Sequence, residues 1–72
     1  MYYTMILERA KELWGDREIS KENTDEWYRS YFRVCEDLYN EFVAEGLIGT
    51  AEHIQHIYKE QIKFCPNIED KL

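Results

Sequence analysis

The sequence contains little glycine and proline, with three and one residues respectively among its 72 residues. Helix interiors disfavour both residue types, whereas domains built from β-strands use them in their many turns. Their scarcity therefore favours an all-helical chain. Long apolar runs are absent as well, because no stretch approaches the ~20 residues of a membrane-crossing helix. We therefore expect no transmembrane segment and no membrane partner.

Cysteine is scarce too, since Cys35 and Cys65 are the only two in the sequence. The first residues, Met1 to Arg9, do not show a basic segment followed by an apolar one, so no secretory signal is predicted. A cytoplasmic location would keep both thiols reduced. Because free cysteine is usually buried as a small apolar side chain, we expect both cysteines to lie in the core.

Basic residues are in deficit, because nine Lys and Arg stand against fifteen Asp and Glu and the net charge is −6. Nucleic-acid phosphates and anionic lipid surfaces attract positive charge, so direct binding to either is disfavoured. The sequence motifs of P-loop NTPases, serine hydrolases and zinc proteases are also absent. We therefore expect no enzymatic activity and no cofactor.

What the sequence does contain is three segments with helical periodicity. Gly15 and Gly46 follow the first two segments, in the position of a left-handed residue that ends a helix. Thr50 is expected to cap the third helix and Pro66 to stop it. The pattern predicts one all-α domain over residues 1–72, a small three-helix domain with a long central second helix. The predicted helices span residues 2–14, 24–45 and 50–65.

The second helix carries more apolar surface than one side of a small bundle requires. On a helical wheel its apolar residues cover nearly half of the circumference, whereas a core-facing stripe needs about 100°. One explanation is that this helix packs against both neighbours. The other is that part of the surface docks a partner protein or a second copy of the chain, which would make the domain dimeric. The predicted contact residues are Tyr28, Phe32, Tyr39 and Val43, with Arg29 and Arg33 as polar neighbours.

The preferred hypothesis is a non-enzymatic protein-interaction module, a small acidic regulator or inhibitor that binds through the aromatic face of the second helix. Its size, acidity and aromatic content resemble, in type alone, those of small accessory proteins encoded by phages and plasmids. An alternative is a decoy that mimics nucleic acid, since carboxylates spaced along a helix can occupy a phosphate-binding site. The carboxylates expected to form this acidic face are Glu36, Asp37, Glu41 and Glu45.

Two further alternatives concern the third helix. The turn at Gly46 has the outline of a helix-turn-helix, but the helix after it opens without the Arg that base and phosphate recognition require. His53, His56 and Glu60 could together ligate a divalent metal ion, but they lie opposite the apolar face and would be solvated. We therefore keep DNA binding as a remote alternative and predict no metal site.

Overall fold

The structure is a computed structural model, and it describes residues 2–65 and residue 68. This part of the chain contains no strand and forms three helices, α1 (Tyr2–Trp14), α2 (Thr24–Ala44) and α3 (Ile48–Ile62). The prediction of a small all-α domain with three helices and a long central second helix is therefore confirmed. None of these helices is both long and apolar enough to cross a membrane.

Two glycines reverse the chain at the ends of α1 and α2. Gly15 and Gly46 have φ angles of 82° and 79°, a region that glycine adopts without a steric cost. At Gly46 the amide donates to the Val43 carbonyl over 3.0 Å, and the Leu47 amide donates to the Phe42 carbonyl over 2.8 Å. This pair of bonds is a Schellman motif, which satisfies the last carbonyls of a helix. Because the reversal is so tight, α3 begins two residues after Gly46.

The helix α1 has its predicted bounds, and α2 ends one residue before its predicted end. The bounds of α3 differ from the prediction at both ends. The predicted start of α3 at Thr50 is wrong, because the helix begins at Ile48 with Leu47 as its N-cap. Leu47 makes no side-chain capping bond, so the Gly46 turn replaces the hydroxyl cap that we expected. The helix also ends at Ile62, three residues before the predicted end, where the following amides bond three rather than four residues back.

The long helix α2 packs against both of its neighbours. Trp27 near its start meets Trp14 at the end of α1, with ring centroids 5.7 Å apart in an edge-to-face arrangement. Phe32 meets Tyr58 of α3 in the same way, with centroids 5.2 Å apart. Most of the wide apolar surface of α2 is therefore used inside the domain. The buried apolar residues are Ile6, Ala10, Trp14, Trp27, Tyr31, Phe32, Val34, Cys35, Leu38, Ala51, Ile54, Tyr58 and Cys65.

Gly46 and Gly49 form a matched pair for testing the turn between α2 and α3. A methyl group added at either position meets open space, but only Gly46 has a positive φ. We expect Gly46→Ala to lower the free energy of unfolding by about 1 kcal/mol through backbone strain. Gly49→Ala, in the first turn of α3, should raise it by up to about 0.5 kcal/mol through helix propensity. Urea unfolding measures both, and equal effects of the two substitutions would contradict the assigned turn.

Tyr31 carries an unsatisfied polar group in this core. Its side chain is 4% exposed, and its hydroxyl has no hydrogen-bond partner among the described residues. Leaving a buried polar group unpaired costs roughly 1–3 kcal/mol. We therefore expect Tyr31→Phe, which keeps the ring, to raise the free energy of unfolding by about 1 kcal/mol. Tyr28→Phe is the matched control on the same helix and should change little; destabilisation by Tyr31→Phe alone would contradict the assignment.

Candidate functional site

An open cavity of about 480 Å³ runs along the outer flank of α2, beside α3. We call it the α2 groove. Half of the side chains predicted as contact or acidic-face residues line it, together with one residue of α3 and one beyond the helices. The lining residues are Arg29, Phe32, Arg33, Glu36, Asp37, Tyr58 and Ile68.

The floor of the α2 groove is aromatic. Phe32 and Tyr58 are only 4% and 2% exposed, and Tyr28 stacks on Phe32 with ring centroids 5.9 Å apart. The prediction that Phe32 lies exposed in a docking stripe is therefore wrong, because α3 covers that flank of α2. Ile68 is partly buried against the same core. Phe32 and Tyr58 therefore offer little of their own surface to the groove, although both line it together with Ile68.

The rim of the α2 groove is charged, and its two signs are separated along the helix. Arg29 and Arg33 lie one turn apart, and Glu36 and Asp37 follow them toward the C-terminal end of α2. Within the described part of the chain, none of these four side chains makes an ion pair. Charged side chains that make no ion pair within residues 2–65 and 68 can pair with a ligand instead.

Two other carboxylates of α2 are already neutralised by arginines outside the helix. Glu41 pairs with Arg9 of α1, and Glu26 pairs with Arg17 of the connection between α1 and α2, each at 3.5 Å. These are exposed pairs of the kind that contribute little to stability. Their effect on the surface is that Glu41 does not join Glu36 and Asp37 in one acidic face.

The remaining predicted contact residues lie away from the floor of the groove. Tyr39 is half-buried, and Val43 is 41% exposed near the C-terminal end of α2. Leu47 and Ile48, at the turn into α3, are also about half exposed. Glu45 caps the C-terminus of α2 and faces solvent. The predicted stripe and the predicted acidic face are therefore each divided between the groove and the opposite end of α2.

Two lining residues were not among the predicted site residues. Tyr58 has the spacing of a core residue of α3, and this is also its role in the structure, where it is buried. Ile68 lies after the predicted helices, and the periodic pattern carries no information on its position. Only the packing of α3 against α2 brings these two residues beside Arg29 and Arg33.

A second cavity of about 290 Å³ lies on the other flank of α2, toward α1. Its apolar side chains are Leu13, which is 64% exposed, and Val34, which is buried. Glu12 and Arg9 line it as well, and Arg9 is engaged with Glu41. This cavity lacks the aromatic floor of the α2 groove.

The cysteines and histidines of the described chain lie outside the α2 groove. Cys35 and Cys65 are free thiols and are buried, as predicted. Burial raises the pKa of the Cys35 thiol to about 12 and also raises the pKa of Cys65, so both are protonated and poor nucleophiles at neutral pH. Among residues 2–65 and 68, no group of three or more His, Cys, Asp or Glu could hold a metal ion.

The three side chains weighed as metal ligands lie on the solvent side of α3. His53 and His56 are exposed, and the His53 ring lies 5.3 Å from the ring of Tyr2. Glu60 forms an ion pair with Lys63 at 3.2 Å. None of these contacts orients the three side chains toward a common point.

The buried Cys35 thiol makes stability depend on pH. In the unfolded chain a thiol ionises above pH ~8.5, whereas in the fold Cys35 keeps its proton to about pH 12. The unfolded state therefore binds fewer protons in this range, and stability falls as pH rises, by up to about 1.4 kcal/mol per pH unit. Urea unfolding between pH 7.5 and about 10 should show Cys35→Ala losing stability less steeply than the wild type. Parallel curves would contradict a buried, protonated thiol.

Comparison of this chain with protein-family models, with curated proteins and with solved structures finds no match.

Proposed function

We propose that this domain binds a partner protein without catalysing a reaction, and that the α2 groove holds a segment of that partner. The observation that carries the proposal is the coincidence of an open cavity, an aromatic floor and four charged side chains without ion-pair partners in the described chain. Aromatic residues and arginines are enriched where proteins bind one another. The groove places Arg29 and Arg33 beside Phe32 and Tyr58, whose rings are almost fully buried.

Binding without catalysis fits the side chains that line the groove. The seven described lining residues include two carboxylates that could act as general bases, Glu36 and Asp37, but no Cys, Ser or His nucleophile beside them. The two thiols are buried elsewhere in the core. We infer that a small acidic domain of this kind acts as a regulator or inhibitor, by occupying a surface of its partner, and that it does so in the reducing cytoplasm.

The groove favours binding of a polypeptide segment of the partner. It is less suited to the alternative, in which the domain mimics nucleic acid and blocks the nucleic-acid site of a partner protein. A mimic of a phosphate backbone needs a continuous row of negative charge. Here Arg29 and Arg33 interrupt the carboxylates of α2, and Glu41 is paired with Arg9. A mixed pair of charges suits a polypeptide, which can present both signs.

The test is affinity capture from the native host with two variants of equal charge change. Arg29→Glu with Arg33→Glu reverses the basic rim of the groove, and the control Lys11→Glu with Lys21→Glu reverses two exposed charges elsewhere. We expect the groove variant to lose a partner that wild type and control retain, with recovery down about tenfold or more. Circular dichroism verifies folding of both, and identical capture by all three proteins would refute the proposal.

A further inference from the structure

The α2 groove already contains an apolar side chain, and the chain itself supplies it. Ile68 is the one lining residue of the described chain that belongs to neither α2 nor α3. It is partly buried and packs against the core cluster that includes Phe32 and Tyr58. Resting on the proposed function, we propose that Ile68 is an internal plug of the α2 groove, an autoinhibitory contact that a segment of the partner must displace.

Backbone hydrogen bonds after α3 hold Ile68 at the groove. The Cys65 amide donates to the Ile62 carbonyl over 3.0 Å, and the Ile68 amide donates to the Cys65 carbonyl over 3.1 Å. Cys65 is itself 5% exposed and belongs to the core. Because Ile68 is bonded to a buried residue three positions earlier, the packing of α3 against α2 determines where Ile68 lies.

The plug accounts for two rings that line the groove and yet offer it almost no surface. Phe32 and Tyr58 are 4% and 2% exposed, and their edge-to-face contact joins α2 to α3. Covering aromatic carbon is most favourable for an apolar side chain, and Ile68 is the remaining apolar residue at this cavity. We therefore assign the cover of these rings to Ile68. The other lining residues of the described chain are charged, namely Arg29, Arg33, Glu36 and Asp37.

Ile68 is held weakly enough to be displaced. Its side chain is only partly buried, so its burial contributes a factor of about five to ten to the equilibrium between the plugged and the open groove. It lies outside the three helices, and its described backbone bond is the one to Cys65. An apolar side chain of the partner would restore the burial that is lost when Ile68 leaves, so the exchange costs the fold little.

The first measurement uses the full-length protein and the dye 1-anilinonaphthalene-8-sulfonate, which binds exposed apolar surface. Ile68→Ser removes the plug, and the matched control Ile48→Ser changes an isoleucine that is 50% exposed at the start of α3. We expect the dye fluorescence of Ile68→Ser to exceed that of the wild type by about fivefold or more, and the control to show no increase. Equal fluorescence of the wild type and a folded Ile68→Ser would overturn the proposal.

Two pairs of charge variants locate the dye. Adding Arg29→Glu with Arg33→Glu to Ile68→Ser should remove most of the increase, because the sulfonate loses the cations of the rim. Adding Lys11→Glu with Lys21→Glu should leave it unchanged. An increase that survives the first pair would place the dye outside the groove and overturn the proposal.

Folding is verified separately, since dye binding also reports a loosened core. Cooperative urea unfolding and a retained near-ultraviolet circular dichroism spectrum identify an opened groove in a folded domain. If Ile68→Ser loses cooperative unfolding, Ile68→Ala takes its place and should give a smaller increase in the same direction. Unchanged dye fluorescence of a folded Ile68→Ala would then overturn the proposal.

Affinity capture from the native host tests autoinhibition itself. Ile68→Ser should recover about fivefold more of the partner that Arg29→Glu with Arg33→Glu loses. Equal or lower recovery would overturn autoinhibition, and a lower value would identify Ile68 as a contact of the partner, with the proposed function intact. A dye signal from the open groove with no partner captured by any of these proteins would instead refute the proposed function, and autoinhibition with it.

Discussion

The burial of α2 on two flanks is the constraint on which the rest of this structure depends. A chain of 72 residues buries a smaller share of its surface than a larger domain does, so its longest helix must contact as much of the chain as possible. Edge-to-face contacts of Trp27 with Trp14 and of Phe32 with Tyr58 tie it to both neighbours. Aromatic pairs in this geometry contribute roughly 0.5–1.5 kcal/mol beyond the area that they bury.

The charged surface follows from this packing. Once two flanks of α2 are apolar and covered, its ionisable residues are confined to the outer strip, which carries both signs. Arg9 and Arg17 reach this strip from other segments and pair with its outlying carboxylates. The charges between them, Arg29 to Asp37, are left beside the groove that α3 and Ile68 complete. Exposed pairs of this kind add little to stability.

The core buries both thiols and the phenol of Tyr31. Burial keeps the thiol of Cys35 protonated, and desolvation raises the pKa of the Tyr31 phenol in the same way. Neither group faces the α2 groove.

The sequence by itself determined the three helices, because 3.6-residue periodicity and the glycines at positions 15 and 46 are local signals. It also determined that the two cysteines would be buried. It could not determine where α3 begins, because a turn whose backbone bonds satisfy the end of α2 made a hydroxyl cap at Thr50 unnecessary.

Only the tertiary structure decided which apolar residues of α2 remain accessible. Helical periodicity places Phe32 and Val43 on the same flank, yet one is buried under Tyr58 and the other is exposed near the α2–α3 turn. Periodicity reports the direction of a side chain around its own helix, and the neighbour that covers this direction is a property of the packed chain. For the same reason the α2 groove, formed by α2, Tyr58 of α3 and Ile68, exists only in the folded domain.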